Sequence, residues 1–274
     1  MLSAVSHTRV RIARICLPAV LIWAFLSAKP AVFAENPARI VHVFVALADN
    51  QHQGIVPVPA RLGNGQDPAN NLYWGASFGV KSFFKASAEW RLLNCQSNPR
   101  PSVLERCVFH RDNPQVILVA DAYYGAQIRD AVSEFFASAA GLRQETLSLA
   151  INTEKPTFGI AGAADLLVYV GHDALMDFQV PRAMGKIGSH PRRFMILACA
   201  SKPYFQPYMR DTKSEPLLWT TGLMAPEAYT LKAALDGWAR AESDEAIRQR
   251  AAGAYDKYQK CGLRAALRLF SSTW

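Results

Sequence analysis

Four short runs of almost uninterrupted apolar residues constrain the fold of this chain more than any other feature. They are "RIVHVFVALADN" (39–50), "PQVILVADAYYG" (114–125), "DLLVYVGHD" (165–173) and "RRFMILACAS" (192–201). Runs of this length, rich in Val, Ile and Leu and with little polar alternation, are typical of strands buried on both faces of a parallel sheet. The sequence therefore predicts a core of parallel strands.

Helical patterns separate and follow these strands. "AQIRDAVSEFFASAAG" (126–141) has apolar residues at helical spacing, with Gly141 as a helix stop. "PLLWTTGLMAPEAYTLKAALDGWA" (216–239) combines a short fifth strand with a helix. We expect a further helix from Trp74 to about Trp90, and two amphipathic helices between Ser243 and Leu269. Strands that alternate with helices predict an α/β fold, with a mostly parallel sheet and helices on both faces.

The N-terminal segment has the pattern of a secretory signal peptide. Three arginines lie within the first 14 residues, an apolar stretch runs from Ile15 to Ala28, and Val32 and Ala34 occupy the −3 and −1 positions of a cleavage site. We therefore expect a signal peptide at 1–34 and a single α/β domain at 35–274, exported to the periplasm or the extracellular space. No later apolar run is long enough to cross a bilayer, so we expect no membrane span after cleavage.

The charge balance gives little support to nucleic-acid binding. The net charge is +8, and removal of the signal peptide lowers it to about +4. The remaining chain has no Lys/Arg block and no basic helix face, which are typical of proteins that bind nucleic acids.

Four cysteines remain after cleavage, and an exported protein meets an oxidising compartment. Two disulfides are the default expectation, with three connectivities open. Cys95 and Cys107 flank "QSNPRPSVLER" between two strand-like segments, which suits a hairpin stapled near its turn. Cys199 and Cys261 would then be left as a second pair or as free thiols.

The carboxyl ends of the predicted strands collect side chains that can perform chemistry. In parallel sheets ligands bind at this edge. The residues that the sequence places there are Asp49, Asp121, His172, Asp173, Cys199 and Ser201.

A histidine and a cysteine at the ends of two successive strands suggest a catalytic dyad. A thiol attacks an acyl carbon as its thiolate, so it needs a base nearby and a proton donor for the leaving group. Histidine supplies both functions at neutral pH. His172 and Cys199 are 27 residues apart, which suits one connection between parallel neighbours.

An apolar strand followed by His, and then an apolar strand followed by Ala-Cys, resembles the signature of the caspase, legumain, clostripain and gingipain cysteine peptidases (clan CD). The resemblance implies a caspase-like sheet and a peptide or protein substrate, and the thiol chemistry requires no cofactor. It also implies that His172 is the acid/base, that Cys199 is the nucleophile, and that nearby backbone N–H groups bind the oxyanion. Unlike most of the group, this chain has Asp173 rather than Gly directly after the histidine.

Three carboxylates are candidates for binding the substrate or for orienting the histidine. Asp121 is a candidate partner for a basic substrate side chain, and Asp173 and Asp49 are further candidates for contact. The segments "ADNQHQGIVPVP", "GHDALMDF" and "LMAPEAYTL" also resemble segments of exported bacterial proteins, which suggests no activity.

Several alternatives remain open for the two dyad residues. Cys199 is also consistent with an inert core thiol or with a disulfide to Cys261, and His172 with a strand-end residue bonded to backbone or to Asp173. His42 is expected to be a satisfied core histidine and His190 a surface residue. A metal site is a further alternative, with five possible ligands: His52, His172, Asp49, Asp121 and Asp173.

Two other functional readings are also open. "GASFG" (75–79) matches the nucleophile elbow, with Ser77 as nucleophile and Asp121 or Asp165 and His172 following in the right order. A non-catalytic exported protein would instead bind a peptide, glycan or partner protein through the aromatic segments "NNLYWGASFGVKSFF" and "KPYFQPYM".

Overall fold

The computed structural model of the protein describes residues 38–151, 155–185 and 192–274. The predictions for the signal peptide and for His190 lie outside these ranges. The strands are β1 (Arg39–Ala46), β2 (Arg91–Arg100), β3 (Val103–Arg111), β4 (Val116–Tyr123), β5 (Gln144–Ser148), β6 (Thr157–Ala161), β7 (Leu166–Val170), β8 (Arg193–Leu197), β9 (Glu215–Thr220) and β10 (Phe270–Ser271). The α-helices are α1 (Val80–Lys85), α2 (Ile128–Ala139), α3 (Ser201–Thr212), α4 (Ala228–Ala239), α5 (Asp244–Gln259) and α6 (Leu263–Leu269), and 3₁₀ turns lie at Gly125–Gln127 and Ala174–Met176.

Eight of the strands form one sheet in the order β10-β9-β8-β7-β1-β4-β3-β2. The five strands β9, β8, β7, β1 and β4 are mutually parallel. The four apolar runs of the sequence supply β1, β4, β7 and β8, so the prediction of a mostly parallel α/β sheet is confirmed.

The edges of the sheet are antiparallel. β2 and β3 form a hairpin against β4, and β10 pairs with β9. Cys95 and Cys107 lie directly opposite each other in the hairpin and form a disulfide. The predicted staple is confirmed, although it lies within the paired strands rather than beside the turn.

Alternate side chains of the central strands enter two separate apolar layers. Val41, Val43 and Val45 of β1 pack with α1, α4, α5 and α6, whereas Phe44 and Ala46 pack with α2 and α3. This alternation follows from the two-residue period of a strand. Both faces of the sheet are thus covered by helices, as predicted, and no helix in the described ranges is long and apolar enough to cross a membrane.

The predicted helix from Trp74 to Trp90 is mostly wrong, because only Val80–Lys85 is helical. Gly75 and Gly79 lie in tight turns before it, where an added Cβ would meet neighbouring backbone atoms at 2.2 and 2.4 Å. Asn71 fixes this loop to the end of β1 by accepting a hydrogen bond from the Ala48 N–H and donating to the Ala48 carbonyl. The apolar residues that suggested a longer helix, such as Tyr73 and Trp74, instead pack a loop against the core.

The strand order creates a topological switch point between β1 and β7. The chain passes from β1 to its neighbour β4 on one side, and then returns to β7 on the other side of β1. The connections therefore diverge at the carboxyl ends of β1 and β7, which is where open parallel sheets bind ligands.

Candidate active site

His172 and Cys199 occupy equivalent positions at the ends of two neighbouring parallel strands. Val170 of β7 pairs with Leu197 of β8. His172 and Cys199 each lie two residues after this pair. Val170 and Leu197 both point into the layer that contains α4 and α5. Neighbouring strands lie about 4.8 Å apart, so this register brings the two side chains to the same edge of the sheet.

The backbone before His172 makes a sharp turn over the end of β1. Gly171 has a φ of +150°, and a Cβ there would lie 2.9 Å from the carbonyl oxygen of Ala46. The Gly171 N–H donates to the Leu197 carbonyl at 3.3 Å, and the Tyr169 hydroxyl donates to the His172 carbonyl at 2.8 Å. Glycine is therefore required next to the histidine, and the histidine backbone is fixed to its own strand.

The ring of His172 is oriented by a carboxylate that the sequence analysis did not single out. Nε2 lies 2.7 Å from Oδ2 of Asp177, which also accepts the Gly54 N–H at 2.9 Å. A carboxylate accepts hydrogen bonds, so Nε2 carries the proton and Nδ1 keeps its lone pair. His172 is 8% exposed.

Cys199 is a free thiol at the junction of β8 and α3, and its side chain is half-buried. Its Sγ lies 3.3 Å from the carbonyl oxygen and 3.4 Å from the backbone nitrogen of Met224. Ala200 follows in the left-handed conformation, with a φ of +47°, and its N–H donates to the Gly222 carbonyl at 2.8 Å. The chain thus turns directly from strand to helix, which places the thiol near the positive end of the α3 dipole.

Two buried hydroxyl groups hold this turn in place. The Ser201 hydroxyl donates to the Ile196 carbonyl at 3.0 Å, and the Thr220 hydroxyl donates to the Ala198 carbonyl. The Thr220 N–H in turn donates to the Ser201 hydroxyl oxygen at 3.0 Å. Because these bonds link the ends of β8 and β9, the position of Cys199 is set by the sheet itself.

The two residues line a single cavity of about 420 Å³ at this edge of the sheet. A cavity of this size is typical of small-ligand sites, which span roughly 300–1,000 Å³. It is surrounded by four parts of the chain, which are the segment after β1, the segment after β7, the β9–α4 connection and helix α5. The lining residues are Gly54, Ile55, Val56, Tyr73, Gly171, His172, Met176, Cys199, Leu223, Met224, Pro226 and Tyr255.

Comparison of the chain with models of protein families, with curated proteins and with solved structures finds no match.

Asp121 does not line the cavity, contrary to its proposed role in binding a basic substrate side chain. It lies inside β4, opposite Phe44 of β1, so it points into the other layer of the protein. Arg106 holds it with two hydrogen bonds of 2.6 and 2.7 Å, and Nε2 of His42 lies 3.2 Å away. Burial opposes ionisation of Asp121, but the hydrogen bonds from Arg106 and His42 lower its pKa well below its usual range. Asp121 is therefore part of a buried ion-pair cluster.

His42 is a satisfied core histidine, as expected. It is fully buried, and its Nδ1 accepts the Ala161 N–H at 3.0 Å, so its proton lies on Nε2 and is donated to Asp121. Burial lowers the pKa of His42.

Asp173 and Asp49 also lie outside the cavity lining, and both fix local turns. Asp173 is fully buried and accepts the Leu175 N–H at 3.0 Å, which caps the 3₁₀ turn leading to Asp177. Asp49 accepts hydrogen bonds from the backbone of the residues that follow it, and its Oδ2 lies 2.9 Å from Nδ1 of His52. The structure thus brings His172 and Cys199 together but not the three carboxylates predicted to contact substrate.

The described residues give no support to a metal site. The only group of potential ligands close enough to share an ion within the described ranges is Cys95, Glu105 and Cys107. Its two sulfur atoms are bonded to each other, so they are not thiolate ligands.

The nucleophile elbow and the second disulfide are contradicted. Ser77 is exposed in a turn with no strand before it, and Asp165 accepts the Ile40 N–H at the opposite edge of the sheet. Cys199 and Cys261 are both free thiols.

Four of the eight aromatic side chains that suggested a binding surface are buried in the core. Trp74, Phe84 and Phe205 are fully buried, and Tyr208 stacks on Phe136 with ring centroids 5.0 Å apart. "KPYFQPYM" lies in helix α3, which the sequence analysis missed because its two prolines favour a loop. Of these aromatics, Phe78 and Tyr204 are exposed, at 41% and 39%.

Proposed function

We propose that the chain is an exported thiol hydrolase that cleaves peptide bonds, with Cys199 as the nucleophile and His172 as the acid/base. One observation carries this proposal. The two side chains follow neighbouring parallel strands in equivalent register, and both line the same cavity at the switch point of the sheet.

The proposed reaction uses each residue twice. His172 Nδ1 takes the proton of the Cys199 thiol, and the sulfur attacks the carbonyl carbon of the substrate to form a C–S bond. The C=O electron pair moves to oxygen, and its return breaks the C–N bond as the leaving amine takes the proton from His172. Water then attacks the thioester with His172 as base, the C–S bond breaks, and the thiol regains its proton. The sum is a peptide plus water giving a carboxylic acid and an amine.

Backbone N–H groups next to the dyad are the proposed donors to the oxyanion. The N–H groups of His172 and Cys199 donate to no backbone or side-chain acceptor within the described part of the chain. Both lie at the edge of the cavity, where the carbonyl oxygen of a bound substrate would acquire negative charge.

Asp177 is the proposed positioning residue for the histidine. Its hydrogen bond to Nε2 fixes the tautomer in which Nδ1 is basic, and its charge stabilises the imidazolium that forms during proton transfer. The Gly54 N–H ties the same carboxylate to the segment after β1.

The resemblance to clan CD peptidases supports the same assignment. The parallel order of β7 and β8, each followed by one of the two residues, is the arrangement that a caspase-like sheet requires. Export to an oxidising compartment is supported by the Cys95–Cys107 disulfide, because such bonds are rare in reducing compartments.

Cleavage of a peptide mixture tests the proposal. The purified protein is incubated with peptides covering many sequences, and new termini are identified by mass spectrometry. We expect cleavage by the wild type, and a loss of about 100-fold or more in Cys199→Ala and His172→Ala. Cys261→Ala is the matched control, since this second free thiol is exposed and does not line the cavity.

A result of no cleavage, or cleavage that survives Cys199→Ala, would contradict the hydrolase assignment. Peptide binding without cleavage, unchanged in Cys199→Ala, would instead support the alternative of a non-catalytic binding protein.

A further inference from the structure

The cavity is lined by uncharged side chains, most of them apolar. Among the described residues, no Asp, Glu, Lys or Arg contributes to the lining. Apolar residues come from three separate segments: Ile55 and Val56 after β1, Met176 after β7, and Leu223 before α4. A charged group entering this space would lose water without gaining an opposite charge, which is unfavourable.

The rim of the cavity exposes large apolar side chains to solvent. Val56 is 86% exposed, Leu223 is 75% exposed and Met176 is 43% exposed. Clustered exposed apolar residues beside a cavity are typical of a binding site. These three come from different segments, so the fold assembles an apolar rim around the dyad.

The carboxylates next to the cavity are already engaged. Asp177 accepts from His172 and Gly54, and Glu227, which follows Pro226 of the lining, accepts from the Tyr229 hydroxyl at 2.9 Å. The described lining therefore offers no carboxylate to pair with a basic substrate side chain. Asp121, which the sequence suggested for this role, lies on the other face of the sheet.

We propose that the cavity selects substrates with a large apolar side chain, such as Leu, Met or Phe, on the residue whose carbonyl Cys199 attacks. The proposal rests on the proposed function of the dyad. The lining Met176 and Met224 have flexible side chains, which adapt to apolar groups of different shape. Selectivity is thus for apolar character and size rather than for one side chain.

Three peptidyl acyloxymethyl ketones with identical tails test this selectivity. They end in Leu, Lys or Asp, and the rate at which each labels Cys199 is measured by mass spectrometry in a Cys261→Ser background. We expect the Leu reagent to label Cys199 about tenfold faster or more than either charged reagent. Equal labelling by the Lys or the Asp reagent would overturn the proposal.

A charge placed on the rim provides the second part of the test. Leu223→Asp should raise the labelling rate of the Lys reagent relative to the Leu reagent, and the exposure of Leu223 makes the substitution compatible with folding. Leu142→Asp, at a 53% exposed apolar residue outside the lining, should leave the ratio unchanged. An unchanged ratio in Leu223→Asp would contradict the assignment of this rim.

The outcomes separate this inference from the proposed function. Rapid labelling that depends on His172 but ignores the terminal side chain refutes the selectivity alone. Labelling no faster than that by iodoacetamide, or independent of His172, refutes the dyad and the selectivity with it.

Discussion

Asp173 makes the stability of the protein depend on pH in an unusual direction. The side chain is fully buried, Oδ1 accepts the Leu175 N–H, and Oδ2 has no hydrogen-bond partner within the described residues. Burial, opposed by the backbone hydrogen bond and assisted by nearby Asp177, raises the pKa of Asp173 from 3.8 to about 7. Tyr169 stays neutral, since burial, assisted by the charge of Asp173, raises its pKa well above the usual value.

The sign of the effect follows from the raised pKa. Below about pH 4 the group is protonated in both the folded and the unfolded state, so it has no effect on the free energy of unfolding. As the pH rises towards 7, the unfolded state loses this proton first, and the free energy of unfolding falls. A shift of about three pKa units corresponds to at most about 4 kcal/mol, which is lost in full above pH 7.

Asp173→Asn removes the charge and keeps the acceptor for the Leu175 N–H. We expect the variant to match the wild type near pH 4 and to be about 2–4 kcal/mol more stable at pH 8. Urea unfolding followed by circular dichroism at several pH values measures this difference. Asp112→Asn, at a carboxylate that is 77% exposed, is the control and should show little change. A variant that is no more stable than the wild type at pH 8 would refute the reasoning.

Three further substitutions test other parts of the structure. Arg106→Met removes the two shortest hydrogen bonds to the buried Asp121 carboxylate, which then keeps only the longer contacts to His42 at 3.2 Å and Arg100 at 3.4 Å. It should lower the free energy of unfolding by about 3 kcal/mol, measured by urea unfolding. Cys107→Ser removes a bond that closes a short loop from Cys95, and should cost about 3 kcal/mol in the same assay under oxidising conditions. Asp177→Asn should slow peptide hydrolysis about 100-fold with little change in melting temperature, because it affects the orientation of the histidine rather than the fold. Unchanged stability in the first two, or unchanged hydrolysis in the third, would contradict these assignments.

The apolar runs predicted the central sheet because strands buried on both faces consist almost entirely of apolar residues. β1, β4, β7 and β8 each coincide with such a run, and Gly141 ends α2 with a φ of +73° as expected of a helix stop. The edge strand β10 has only two residues, which is too short for a run of apolar residues or an alternating pattern to be recognised in the sequence.

The site was predictable only in part, because the local sequence does not show to which face of the sheet a side chain points. His172 and Cys199 follow strands of known direction, so their shared edge could be inferred. Asp121 ends an apolar run in the same way, but β4 continues to Tyr123 and the alternation of side chains sends this carboxylate to the other face. Asp177 was missed because its role depends on the turn capped by Asp173, although its position five residues after the histidine was a usable signal.

Acylation of Cys199 tests the central claim most directly. A Cys261→Ser protein is mixed with the p-nitrophenyl ester of N-acetyl-leucine, quenched in acid, and analysed by intact-protein mass spectrometry. We predict a rapid acyl adduct on Cys199 that disappears with time, and a rate of formation about 100-fold lower in His172→Ala. No adduct on Cys199, or an adduct that forms as fast without the imidazole, would contradict the account.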